Sequence, residues 1–190
     1  MEKIKAGFAI CGSFCTFSKV IPEMKNLVDK GIEVFPIMSE IAYSLDTRFG
    51  KSEIFRKEIE DICSKKIIST IKDAEPIGPK KILDILIIAP CTGNTLAKLA
   101  NGIADTSVTL ATKAHLRNAR PVLIGVSTND ALGAAAKNIG NLLNYKNIFF
   151  VPMNQDDFEN KPNSIVADFS KIYLSLVSAL KGKQIQPVLI

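Results

Sequence analysis

Pro90-Cys91-Thr92-Gly93-Asn94-Thr95 interrupts a run of branched apolar residues at 82–89, and a helical pattern resumes from Leu96. A buried strand that empties into small polar residues at a helix start forms a cradle for an anion or a cofactor. Backbone N–H groups and hydroxyls converge there, and the helix dipole favours negative charge. Four more stretches follow apolar runs in the same way: Cys11-Gly12-Ser13-Phe14-Cys15-Thr16, Ser39 after Met38, Ser127-Thr128-Asn129-Asp130, and Pro152-Met153-Asn154-Gln155. Together they offer hydroxyls and amides, little charge and no histidine. Such a rim suits a phosphate and a polyhydroxy chain held by many neutral hydrogen bonds. It does not suit a hydrolytic triad or a metal centre. Taken singly, each loop is equally well a turn or a helix cap; five at one end of a sheet point to a site. Gly12-Ser13 lacks the full G-x-G-x-x-G spacing of a dinucleotide fingerprint.

Charged candidates are few. Arg48, within Asp46-Thr47-Arg48-Phe49-Gly50, follows the second apolar run and could grip a carboxylate through two parallel hydrogen bonds, or be a plain surface arginine. Cys91 stands near a helix start, where a thiol can be acidified, although a small buried filler is the simpler reading. His115 and Arg117 follow Asp105 on a helical stretch and read as solvated or at an interface.

These loops need a scaffold, and the alternation of patterns supplies one. Strands are expected at 4–10, 32–38, 83–89, 121–126 and 148–151, with a short extra strand at 67–71. Helices are expected at 18–30, closed by Gly31, then at 52–64 with Ser52 as a possible cap, from 92–95 onward, and at 104–117, 130–143 and 164–180. Residues 39–50 read as a polar loop or broken helix, and 74–81, with Pro76, Gly78 and Pro79, as irregular. Strands alternating with helices imply βαβ units: an α/β fold with a doubly wound, open parallel sheet in a three-layer sandwich. One domain is expected over 1–181. The tail 182–190 is either frayed or docked on a neighbour.

Composition narrows the function. The 190 residues are 47% hydrophobic, enough for one substantial core. The net charge of +5 is carried by scattered lysines, and there is no Trp. Neither a dense basic stripe nor a stacking platform is present, so a nucleic-acid partner is not expected. The four cysteines lack metal-site spacing and suit a reducing compartment. No run is long enough to span a membrane, and residues 1–17 read as a first strand rather than a signal peptide.

The stretch Ala89-Pro90-Cys91-Thr92-Gly93-Asn94-Thr95-Leu96-Ala97-Lys98-Leu99-Ala100-Asn101-Gly102-Ile103-Ala104-Asp105 is similar to the signature of a flavin-dependent family. That family includes phosphopantothenoylcysteine decarboxylases and flavin prenyltransferases. Gly12-Ser13 resembles its first phosphate-binding turn and Met38-Ser39 its second, and the likeness covers nearly the whole chain. It implies a flavodoxin-like, Rossmann-like domain with an FMN site. Gly12 and Ser13, with Phe14, would serve the phosphate. Ser39, Pro90, Thr92, Asn94 and Thr95 would lie nearby, and Ser127, Thr128 and Asn129 along the flavin ring. It also implies a homo-oligomer, a trimer or a multiple of trimers, with flavin near the boundary between protomers.

Asp46-Thr47-Arg48-Phe49-Gly50, Ala74-Glu75-Pro76-Ile77-Gly78-Pro79-Lys80, Leu116-Arg117-Asn118, Ser127-Thr128-Asn129-Asp130-Ala131-Leu132-Gly133 and Lys161-Pro162-Asn163-Ser164 resemble one branch of that family, from spore-forming bacteria. The branch implies one component of an oxidoreductase in the mother-cell cytoplasm. It would act on a small dicarboxylate with a Rossmann-type partner chain that handles NADP. Asn129, Arg48 and Asp105 are then the catalytic candidates. The alternative is a flavin-free partner without catalysis of its own. The decarboxylase histidine is replaced by Glu75-Pro76-Ile77-Gly78-Pro79. The decarboxylase Pro-Ala-Met-Asn is replaced by Val126-Ser127-Thr128-Asn129, and the prenyltransferase arginine near Thr128 is missing. Cysteine decarboxylation and prenyl transfer are therefore not expected.

Overall fold

The branched apolar run becomes the central strand, β3 (Ile85–Cys91), and every residue in it is buried. A strand covered on both faces needs no polar alternation, which is why its sequence reads as continuous. In this computed structural model, which describes residues 3–190, β3 lies between β1 (Lys5–Ile10) and β4 (Val122–Thr128). Met1 and Glu2, the start of the expected domain, lie outside the described residues.

Parallel pairing joins β2 (Glu33–Met38) to β1, β1 to β3, β3 to β4, and β4 to β5 (Ile148–Phe150). Helix α1 (Phe17–Asp29) buries Val20, Ile21, Met24 and Leu27 and ends before Gly31, whose φ of +81° suits the left-handed turn that closes a helix. Helices α2 (Glu40–Ser44), α3 (Ser52–Cys63) and α4 (Ile71–Ala74) follow β2. Helices α5 (Gly93–Ala100), α6 (Ser107–Leu116) and α7 (Ala136–Leu143) follow β3 and β4. Helix α8 (Ile172–Leu180) packs with α1 on one face of the sheet, while α5 packs with α6 and α7 on the other. The fold is the doubly wound α/β sandwich.

The sheet is mixed rather than wholly parallel. Two short strands, β6 (Met153–Asn154) and β7 (Ile165–Ala167), extend it, with β7 antiparallel to the end of β4 and β6 antiparallel to β7. The helix expected over 164–180 is thus a strand, then a turn, then α8. Asp168 makes the break: its carboxylate accepts from the Ser170 N–H at 3.1 Å and from the Ser170 hydroxyl. That local bond ends β7 and starts the turn into α8. Asp168→Ala is expected to cost about 1 kcal/mol of stability, read as a lower urea midpoint.

Other expectations shift for similar local reasons. Residues 67–71 supply one bridge, Ile37 with Ile68, not a strand. Residues 130–135 are turns, so α7 begins only at Ala136. Ser52 is the first residue of α3 and does not cap it; its hydroxyl donates to Asp46 at 2.9 Å. In the tail, Gln184 brackets Phe150, accepting from its N–H and donating to its carbonyl, both at 2.7 Å. Ile190 N–H donates to Met153 O at 3.1 Å. Among the described residues, no helix is long and apolar enough to cross a membrane.

Candidate functional site

From β1 the chain winds outward through α1 to β2, then returns to the other side of β1 as β3. The order therefore reverses between β1 and β3. Ligands in open α/β sheets bind beyond the carboxyl ends of the strands at such a point. A cleft of about 450 Å³ opens there, walled by the loops after β1, β3 and β4, by the 46–50 loop and by the 155–164 loop.

Pro90 shapes the floor. The register of β3 on β4 slips between Ile88 opposite Ile124 and Cys91 opposite Val126, so three steps on β3 face two on β4. Proline has no N–H to give the ladder and is at home in such a bulge. Its carbonyl instead accepts from Cys11 N–H at 3.2 Å, tying β3 to the start of the β1 loop. Thr92 then caps α5, accepting from Thr95 N–H at 3.3 Å.

Ser13 and the buried Ser127 meet with their hydroxyl oxygens 2.7 Å apart, linking the β1 and β4 loops. One proton serves that bond, so the pair keeps one donor and several lone pairs for a ligand. Thr16 donates to Ser13 O at 2.8 Å, fixing the turn. Phe14 lies on Phe17 with ring centroids 5.1 Å apart and holds the loop against the core. On the far wall, Thr47 and Gly50 exchange backbone hydrogen bonds of 3.0 and 3.1 Å. Asp46 anchors that turn by accepting from Ser52 N–H at 2.8 Å, and the Ser52 backbone and hydroxyl bonds hold its carboxyl below the usual range. Arg48 stands exposed at the tip, its guanidinium 4.9 Å from the Phe49 ring centroid.

Of the residues expected at the site, Ser13, Arg48, Thr92, Ser127, Thr128 and Asn129 line this one cleft. Gly12 and Phe14 flank it, while Pro90 and Thr95 are buried beneath. Three stand apart from the wall. Ser39 caps α2, accepting from Ala42 N–H at 3.3 Å. Asn94 is exposed on the first turn of α5. Asp105 is held by Lys98 at 2.8 Å in the connection between α5 and α6, a hydrogen bond that lowers its carboxyl pKa. Sequence reasoning misses Cys15, Thr16, Phe49, Asp156, Lys161, Ser164 and Val166, which complete the lining. Cys15 and Thr16 belong to a loop that the sequence does single out. The segments carrying Asp156, Lys161, Ser164 and Val166 return to the site only through β6 and β7.

The structure decides the two reactive groups left open by the sequence. Cys91 is the small buried filler and not an acidified thiol: it closes β3 in the core, and burial holds its pKa well above the ordinary value. Neighbouring Cys11 is likewise pushed up by burial, to about 11. His115 is not solvated; it is 1% exposed, with Nε2 donating to Pro121 O at 3.1 Å, while Arg117 is exposed. Among the described residues, no cluster of His, Cys, Asp and Glu could hold a metal ion.

The model of the Flavoprotein family matches residues 1–173. The chain belongs to that family. This flavoprotein is 45% identical over 186 residues to the B subunit of dipicolinate synthase from Bacillus subtilis, spanning 98% of this chain and 93% of the relative. Among solved structures, the B subunit of dipicolinate synthase from Bacillus halodurans superposes with a TM-score of 0.91 at 43% identity, covering 100% of this chain and 98% of that one. The FMN-dependent cysteine decarboxylase SpaF shares the fold of this flavoprotein, with a TM-score of 0.67 at 23% identity over 93% of this chain and 97% of its own.

Proposed function

We propose that this flavoprotein is the B subunit of a dipicolinate synthase. In this reading it binds FMN in the cleft and takes part in oxidising a dihydro- or hydroxytetrahydro-dipicolinate to dipicolinate, pyridine-2,6-dicarboxylate. The observation that carries the reading is one cleft joining the neutral Ser13–Ser127 hydroxyl pair to the Arg48 guanidinium. The donor set fits the cofactor: small hydroxyls from three strand ends suit a ribityl-phosphate arm, and the one carboxylate in the lining, Asp156, comes from the 155–164 loop rather than from those strand ends. Ser13, Thr92 and Ser127 would hold the arm, with Gly12 and Phe14 shaping the turn.

Arg48 would receive a substrate carboxylate through paired N–H donors, and the Asn129 amide would orient the ring. Conversion of the dihydro form to the aromatic product releases a hydride and a proton; the hydroxytetrahydro form also loses water. FMN, when bound, supplies a two-electron acceptor. The protein contributes position and positive charge, and the proton leaves to water at the open mouth. No role in this site is assigned to Asp105. Its partner would be the A subunit of dipicolinate synthase, a Rossmann-type chain that handles NADP, and the flavoprotein would assemble as a trimer or a multiple of trimers in the cytoplasm of a sporulating mother cell.

A second reading has its own support. Histidine is missing from the cleft lining, and the Thr92 and Thr128 hydroxyls donate within the protein, to Thr95 at 3.1 Å and to Asp130. That inventory favours a flavin-free partner that supports the A subunit. Titrating the purified chain with FMN, followed by flavin fluorescence and visible absorbance, separates the two. Saturable binding is expected, and Ser13→Ala should weaken it by roughly fivefold, the worth of about one net hydrogen bond. Failure to bind FMN would leave the scaffold reading. Assay of the two subunits separately and together then assigns the turnover.

A further inference from the structure

We infer that Lys161 is a second carboxylate receptor, which with Arg48 makes the cleft selective for a ligand bearing two carboxylates over one bearing a single carboxylate. The inference rests on the proposed substrate class and adds a specificity-determining residue to it. Three charged side chains line the cleft: Arg48, Lys161 and Asp156. The two cations come from different walls, Arg48 from the loop between α2 and α3, and Lys161 from the loop between β6 and β7. Both loops are braced. The Thr47–Gly50 pair and the Asp46–Ser52 anchor fix the first. The second is pinned by Gln155 Nε2 donating to Pro162 O at 2.8 Å and by Leu132 N–H donating to Asn163 O at 3.0 Å. Bracing fixes the backbone positions from which the two cations reach, so ligand binding orders the side chains and not the loops, which favours a rigid planar dianion.

Neither cation is committed elsewhere. Lys161 Nζ lies 4.0 Å from Asp156 Oδ2, too far for a hydrogen bond, and its side chain is 57% exposed. An ion pair of that kind contributes little and yields to a better-placed carboxylate. Arg48 has an aromatic neighbour in Phe49 and no carboxylate within ion-pair distance among the described residues. The floor between them is uncharged, built from Thr92, Ser127 and Asn129. A ring with one carboxylate leaves either the ammonium or the guanidinium group without its partner. A ring with two satisfies both.

The test uses the full chain equilibrated with FMN and isothermal titration with dipicolinate and with pyridine-2-carboxylate. The wild type should prefer the dicarboxylate by about tenfold, the worth of one charge-assisted hydrogen bond at a partly exposed site. Lys161→Gln should erase that preference while FMN affinity, read by flavin fluorescence, stays within about twofold of the wild type. Lys161→Arg should retain it, and Asp156→Asn should raise dicarboxylate affinity by removing the competing carboxylate. Equal affinity for the two ligands in the wild type, or selectivity that persists in Lys161→Gln, would overturn the assignment. A loss of FMN affinity in Lys161→Gln with selectivity intact would also overturn it, since the lysine would then serve the phosphate. If the wild type takes no FMN yet shows the lysine-dependent preference, the receptor stands and the cofactor reading falls.

Discussion

Gly93→Val is expected to deform the cleft and destabilise the fold by about 2–3 kcal/mol, the range for overpacking a tight contact. A Cβ at residue 93 would lie 2.7 Å from Asp130 Oδ1 and 2.8 Å from Thr128 Oγ1, closer than real contacts allow. These two atoms are themselves bonded, the Thr128 hydroxyl donating to the Asp130 carboxylate. The carboxylate thus sits against the first turn of α5, where the helix dipole favours it. Asp130 also organises the next turn, its carbonyl accepting from Gly133 N–H at 2.9 Å and Ala135 N–H at 3.2 Å. Any side chain at 93 must displace α5 or this turn, and Thr128 and Asn129, which lead into the turn, are part of the cleft wall. FMN affinity should fall by at least about tenfold for each ~1.4 kcal/mol of the strain that reaches the site.

Two measurements separate strain from general damage. Urea midpoints give the stability loss whether or not FMN binds. Gly93→Ala combined with Asp130→Ala should then recover part of the loss of Gly93→Ala alone, because the nearest atom has gone. A coupling of about 0.5–3 kcal/mol is the range for residues in direct contact. Additive effects, or a Gly93→Val protein with unchanged midpoint and FMN affinity, would mean that α5 and the β4 loop do not lean on each other.

The same contact shows what the sequence could and could not reveal. Thr92 and Ser127 are legible as cleft residues because each ends a strongly apolar strand, and the sheet brings such ends together. That Gly93 must be glycine is not legible, since the reason is an atom 37 positions away. The bulge at Pro90 is a property of pairing between β3 and β4, so no periodicity within β3 announces it. Strands β6 and β7, of two and three residues, are too short to show alternation. The 152–155 stretch is legible at the sheet end beside Asp156, but the turn back through β7 that brings Lys161 to the cleft is not. A helix pattern runs through 165–176 because Ile165, Phe169, Ile172 and Leu176 are all buried, but Ile165 is buried by a strand. Asp105 follows a helix rather than a strand, so sheet topology does not carry it to the site.

Acidification to pH 5 is expected to cost the folded protein about 2 kcal/mol through His115 alone. His115 is inside α6, and burial, the largest cause, lowers its pKa from the ordinary 6.5 to about 4; the Arg120 charge adds to the shift, while the Pro121 carbonyl and Asp84 oppose it. The folded state therefore holds the ring neutral in the range where the unfolded chain protonates it. Below pH 6.5 the unfolded chain binds the extra proton, so stability is complete above that value and falls as the pH drops toward 4. The lowered carboxyl groups of Asp46, Glu60 and Asp105 act in a more acidic window, below their ordinary values of 3.8 and 4.5. Urea unfolding at pH 7 and pH 5 hence isolates the histidine. His115→Gln keeps an N–H that can donate to the Pro121 carbonyl but cannot titrate. It should lower stability at pH 7 and flatten the difference between the two pH values. An unchanged pH difference in that variant would place the proton-linked loss elsewhere.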